Sequence, residues 1–99
     1  EKAKTKIIFI KSLAADAEIL VSRANGEEAK AECQKVYEVV RYSDPMSSDA
    51  LGSIESQITV AFGKLSVAVN ANETDKIKEL ANEVVILVGD RNRKCKLLK

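Results

Sequence analysis

Apolar residues recur along most of the chain at intervals of three and four, the spacing that places side chains on one face of an α-helix. The first stripe consists of Ile7, Ile10, Ala14, Ala17, Val21, Ala24, Ala29, Cys33, Val36 and Val40. Two later stripes consist of Leu51, Ile54, Ile58, Ala61, Leu65 and Ala68, and of Ile77, Leu80, Ala81, Val84, Leu87 and Val88. This pattern predicts an all-α fold in which the helices form an antiparallel bundle.

The only proline, Pro45, marks the corner between the first and second stripes. Proline lacks an amide hydrogen and disfavours the α conformation in the residue before it, here Asp44. The preceding helix should therefore end near Ser43. Ser47 is predicted to cap the next helix, with the carboxylate of Asp49 in the first turn of that helix.

A second corner is predicted at Asn70 to Glu73, where polar residues separate the last two stripes. Asn72 is expected to cap the last helix, with Asp75 three residues later in the capping-box position. The middle helix then covers about residues 48–70. Because the link is short, the two helices that flank it should be antiparallel neighbours.

The first stripe passes through Asn25 and Gly26, and this segment has two interpretations. Gly26 weakens a helix, and Asn25 can cap a new one with Glu28 as its partner, which would give four helices. Alternatively, the stripe continues at a period of about 3.6 residues as a single helix of about 40 residues, roughly 60 Å long, which would give three helices. Because the pattern does not skip at this point, we predict the continuous first helix.

The composition argues against catalysis. The chain has no histidine, so a serine or cysteine nucleophile would lack its commonest base. The two cysteines, Cys33 and Cys95, cannot supply four zinc ligands or a CxxC redox pair. No glycine-rich phosphate loop follows a predicted strand. We therefore predict that the chain is not an enzyme by itself, with no catalytic, cofactor-binding or metal-binding residues and no cofactor.

The cellular context is predicted from size, termini and cysteines. The 99 residues fit one domain, residues 1–99, and the lack of an initiator methionine before Glu1 suggests a fragment of a larger protein. The apolar run at residues 7–10 is too short for a signal peptide, and no stretch reaches the ~20 apolar residues of a membrane span. Cys33 and Cys95 are expected to be reduced, half-buried thiols, which favours the cytoplasm over secretion.

The net charge of +1 conceals two basic ends. Residues 1–11 carry a charge of +3 and residues 91–99 a charge of +5, which leaves −7 for residues 12–90. Clustered cations suit nucleic acid or an acidic membrane, so one hypothesis is an anion-binding helical module. Its candidate residues are Lys2, Lys4, Lys6, Arg91, Arg93, Lys94 and Lys96. A break at Gly26 would bring the two basic segments to one end of the bundle.

Several large apolar residues lie off the main stripes, and three helices of unequal length cannot easily bury them all. They are Val39, Val60, Val67, Val85 and Ile86. Helices of another chain would cover these residues, although a core with wide apolar stripes would also absorb them. The leading hypothesis is a non-enzymatic structural or protein-interaction domain that self-associates through apolar helix faces or binds the rest of its parent protein. Nucleic acid or membrane is the alternative partner, and no metal is expected.

Overall fold

A computed structural model describes residues 2–46 and 48–98, with side chains for residues 9–46 and 48–98. The described residues form four α-helices, which are α1 (Lys2–Arg23), α2 (Glu27–Arg41), α3 (Gly52–Asn70) and α4 (Thr74–Leu98). One 3₁₀ turn, Asp49–Leu51, precedes α3, and the described ranges contain no strand. The predicted all-α bundle is confirmed.

The first apolar stripe is divided between two helices. α1 ends at Arg23 and α2 begins at Glu27. Gly26 between them has a φ of +89°, a conformation that residues with a side chain rarely adopt. The prediction of one continuous helix is therefore wrong, and the four-helix alternative is confirmed. Asn25 does not cap α2, because Gly26 occupies the N-cap position. The side-chain amide of Asn25 instead donates to Asn72 Oδ1 at 2.8 Å and so joins the two turns at this end of the bundle.

The C-terminus of α3 is closed by a Schellman motif centred on Asn72, which has a φ of +58°. The amide of Glu73 donates to the carbonyl of Ala68, and the amide of Asn72 donates to that of Val69, each at 3.1 Å. α4 begins at Thr74. The predicted role of Asn72 as the cap of α4 is wrong, because its left-handed backbone terminates α3 instead.

The corner between α2 and α3 differs in detail from the prediction. α2 ends at Arg41, close to the predicted end. The predicted cap, Ser47, lies outside the described residues. The carbonyl of Ser48 accepts from the amide of Leu51 at 3.0 Å, so a 3₁₀ turn forms before α3 begins at Gly52.

The bundle consists of two antiparallel hairpins, α1–α2 and α3–α4, in an elongated molecule of 39 × 22 × 19 Å. α2 packs against both α1 and α4, whereas α1 and α3 contact each other more sparsely. α2 and α3 therefore occupy diagonally opposite positions, and their connection crosses the end of the bundle beside α4. The fully buried large side chains include Val36, Val40, Leu51, Ile58, Leu65, Val69, Ile77, Val84 and Val88.

The two cysteines are both buried thiols and are not joined by a disulfide. They are more deeply buried than predicted, with Cys33 0% and Cys95 5% exposed. Burial, with a smaller contribution from the neighbouring Glu32 carboxylate, raises the pKa of the Cys33 thiol. Among the described residues, no helix has the length and apolar character that crossing a bilayer requires.

Two glycines give a matched test of the helix break. We expect Gly26→Ala to lower the free energy of unfolding by about 1 to 2 kcal/mol, because alanine is strained at a φ of +89°. Gly63 lies inside α3, and a Cβ there would meet no other atom within 4 Å. Gly63→Ala should therefore raise the free energy of unfolding by about 0.5 to 1 kcal/mol. Urea unfolding measures both, and equal effects of the two substitutions would contradict the break.

Candidate interaction surfaces

A buried arginine holds the connection between α2 and α3 against α4. The Arg91 side chain is 0% exposed, and its Nε donates to Glu55 Oε2 at 2.8 Å. Its Nη1 donates to the carbonyl of Asp44 at 2.9 Å, and its Nη2 donates to that of Met46 at 2.8 Å. The Phe9 ring centroid lies 5.8 Å from Arg91 Cζ. One guanidinium thus links α1, α3, α4 and the connection.

Neighbouring side chains of α4 extend this polar cluster. Asn92 Nδ2 donates to Ser43 Oγ at 3.0 Å, and Ser43 Oγ itself donates to the carbonyl of Val39. Cys95 Sγ lies 3.7 Å from the carbonyl oxygen of Met46. These contacts add side-chain partners for the backbone carbonyls of Val39 and Met46. The connection is therefore fixed to the last three turns of α4.

The position of Arg91 corrects its assignment as a surface anion-binding residue. The guanidinium nitrogens of Arg91 donate hydrogen bonds within the protein, so the side chain is not accessible to a ligand in solution. The sequence contains a signal for this burial, because Arg91 continues the spacing of the buried residues Val84, Val88 and Cys95 on α4. The sequence-based prediction missed this spacing because it placed every basic residue on the surface.

The other basic candidates lie together at one end of the bundle. The chain reverses direction at Gly26, at the opposite end, and this reversal brings the two basic segments to the same end. α1 begins at this end and α4 finishes at it, as the contact between Phe9 and Arg91 demonstrates. We call this the cationic end, and it comprises Lys2, Lys4, Lys6, Arg93, Lys94 and Lys96. The first three occupy the first turns of α1, and their side chains lie outside the description. The last three are exposed on α4, where Arg93 pairs with Asp90.

The five apolar candidates separate into two groups. Val39 and Val85 are partly buried and pack against the core, so the bundle itself absorbs them. They do not form an exposed interaction surface, and their assignment to one is corrected. Val60, Val67 and Ile86 remain 59%, 66% and 53% exposed. Only these three remain available to a partner.

Two of these three residues, Val60 and Val67, lie along the outer groove between α3 and α4, whereas Ile86 lines neither of its recesses. Val60 lines a recess of about 400 Å³ together with Glu83 and Leu87. Val67 lines a second recess of about 390 Å³, next to Leu80. We call this strip the α3–α4 face, and define it by Val60, Lys64, Val67, Glu79, Leu80, Glu83 and Leu87. Sequence reasoning missed Leu80 and Leu87 as surface residues, because each belongs to a core stripe yet is only partly buried.

The charges of the α3–α4 face are divided between its two helices. Lys64 lies on α3 midway between Val60 and Val67, whereas Glu79 and Glu83 lie on α4. At the centre of the groove the α3 side is therefore basic and the α4 side acidic, whereas nearer the start of α4 Lys76 also lines the recess, paired with Glu73. This division gives the face an orientation that a purely apolar strip would lack.

No known family model, curated protein or solved structure matches the chain. Within the described part of the chain, no group of three or more cysteine, aspartate or glutamate side chains is arranged to hold a metal ion.

Proposed function

We propose that the chain is a non-enzymatic interaction domain that forms a homodimer through the α3–α4 face. The observation that carries this proposal is the alignment of Val60 and Val67, both more than half exposed, beside Leu80 and Leu87 on the neighbouring helix. The two valines are seven residues apart on α3, about 10 Å along its axis. Covering this strip removes apolar surface from water, which favours association.

A twofold axis parallel to the helices fits the face best. This axis places α3 of one copy against α4 of the second copy at the same height along the bundle. Val60 and Val67 then pack near Leu87 and Leu80 of the second copy. Lys64 lies near Glu79 and Glu83 of the second copy. A twofold axis across the helices would instead bring the two Lys64 side chains together, which like-charge repulsion disfavours.

A charge swap tests this arrangement. We expect Lys64→Glu to weaken dimerisation by about tenfold or more, because it places a third carboxylate beside Glu79 and Glu83 of the second copy. Glu83→Lys alone should also weaken the dimer. The double variant should recover most of the wild-type affinity, since the two charges are exchanged across the same interface. Analytical ultracentrifugation of the three variants measures the dissociation constants.

The matched control for Lys64→Glu is Lys30→Glu, which makes the same charge change at an exposed position of α2. It should leave the dimer intact. Additive losses in the double variant would reject the proposed pairing of Lys64 with Glu83. An unchanged monomeric mass for the wild-type chain at all concentrations would reject self-association itself.

The second candidate is anion binding at the cationic end. The specific observation that favours it is the reversal at Gly26, which places the start of α1 and the finish of α4 together. We also propose that the domain acts in the cytoplasm. The buried thiols of Cys33 and Cys95 support a reducing compartment.

A further inference from the structure

The cationic end also presents large apolar side chains to solvent. Leu97 and Leu98 in the last turn of α4 are 86% and 56% exposed, and Tyr42 and Met46 in the connection are 77% and 50% exposed. The connection lies beside the last turns of α4, because the Met46 carbonyl contacts Arg91 and lies 3.7 Å from Cys95 Sγ. The four side chains therefore occur at the same end of the elongated bundle.

Cations surround this apolar group. Lys96 immediately precedes the two leucines, Lys94 lies two residues before it, and both lysines are exposed. Arg41 is exposed next to Tyr42, with its Cζ 5.4 Å from the centroid of that ring. Lys2, Lys4 and Lys6 start α1 at the same end. Of the carboxylates at this end, Asp90 pairs with Arg93 and Glu55 with Arg91, Asp44 accepts from the amide of Met46, and Asp49 is exposed.

This combination favours a bilayer over nucleic acid. Binding to a phosphate backbone depends on the lysines and gains nothing from exposed leucines. A bilayer with acidic headgroups attracts the lysines and also accepts leucine, methionine and tyrosine side chains at its boundary with water. We infer that the cationic end docks on anionic membrane surfaces, with Leu97 and Leu98 inserted and Lys94 and Lys96 at the headgroups.

Vesicle flotation of the whole chain tests this inference, using phosphatidylcholine vesicles with and without about one third phosphatidylserine. The wild type should bind the acidic vesicles and not the neutral ones. Lys94→Glu/Lys96→Glu should reduce the fraction bound by about tenfold or more. Leu97→Ser/Leu98→Ser, which leaves the charges unchanged, should cause a loss of similar size because the buried aliphatic groups are removed.

Lys30→Glu/Lys35→Glu is the matched control, since it makes the same charge change on exposed positions of α2. This control should retain binding to the acidic vesicles much better than Lys94→Glu/Lys96→Glu does. Equal binding to neutral vesicles, or full binding by the leucine variant, would overturn the inference. Tight binding of a labelled oligonucleotide that survives Leu97→Ser/Leu98→Ser would reassign the surface to nucleic acid. Lys64→Glu should bind vesicles normally, so failure of the dimer proposal and failure of this one are distinguishable.

Discussion

Arg91→Met is expected to lower the free energy of unfolding by about 3 to 5 kcal/mol. The guanidinium is fully buried and bonds Glu55 together with the carbonyls of Asp44 and Met46. Methionine fills similar volume but donates no hydrogen bond, so a mostly buried carboxylate loses its cation and two carbonyls lose the charged donor that Arg91 supplies. For a domain of this size, the melting temperature should fall by at least about 12 °C.

Two further variants separate the buried charge from general damage to α4. Arg93→Met, two residues further along the same helix, removes an exposed arginine and should change the stability by less than about 0.5 kcal/mol. Arg91→Met/Glu55→Met should be more stable than Arg91→Met, since the mostly buried charge that Arg91 neutralised is also removed. An effect of Arg91→Met no larger than that of Arg93→Met would show that the cluster contributes little.

Leu65→Ala is expected to destabilise the bundle by about 2 to 5 kcal/mol, as measured by urea unfolding. Leu65 lies in α3 and is 0% exposed, so its removal leaves a cavity in the core. The neighbouring Val67 on the same helix is 66% exposed.

Val67→Ala is therefore the matched control and should change the stability of the monomer by less than about 0.5 kcal/mol. It should instead weaken the dimer, because Val67 belongs to the α3–α4 face. Similar losses of monomer stability for Leu65→Ala and Val67→Ala would mean that α3 is rotated about its axis relative to the structure.

The helices themselves were predictable, because the apolar stripes and the two corners are local features. The break at Gly26 was not decided by the stripe, since α1 and α2 both direct their apolar residues into one core and the pattern keeps its phase across the turn. The chain turns at Gly26 with a positive φ, which lets α1 and α2 pack against each other as one hairpin. Asn72 was assigned to the wrong helix for a related reason, because Asn suits both an N-cap and a left-handed C-terminal position.

The surfaces were only partly predictable. Val39 and Val60 both lie off the main stripes, but the first is covered by neighbouring helices and the second is exposed. Whether such a residue is covered or exposed depends on where the other helices lie, and the local sequence pattern does not determine that. The role of Arg91 depends on Glu55, which is 36 residues away in sequence. The position of Arg91 on the core stripe could be read from the sequence, but its partner Glu55 could not.

Light scattering of the wild-type chain across about 10 to about 500 μM tests the central claim most directly, since small interfaces associate in this range. We expect the mass to rise from that of the 10.8 kDa chain towards twice that value, and Lys64→Glu to remain monomeric over most of the range. A constant 10.8 kDa for the wild type would contradict self-association through the α3–α4 face.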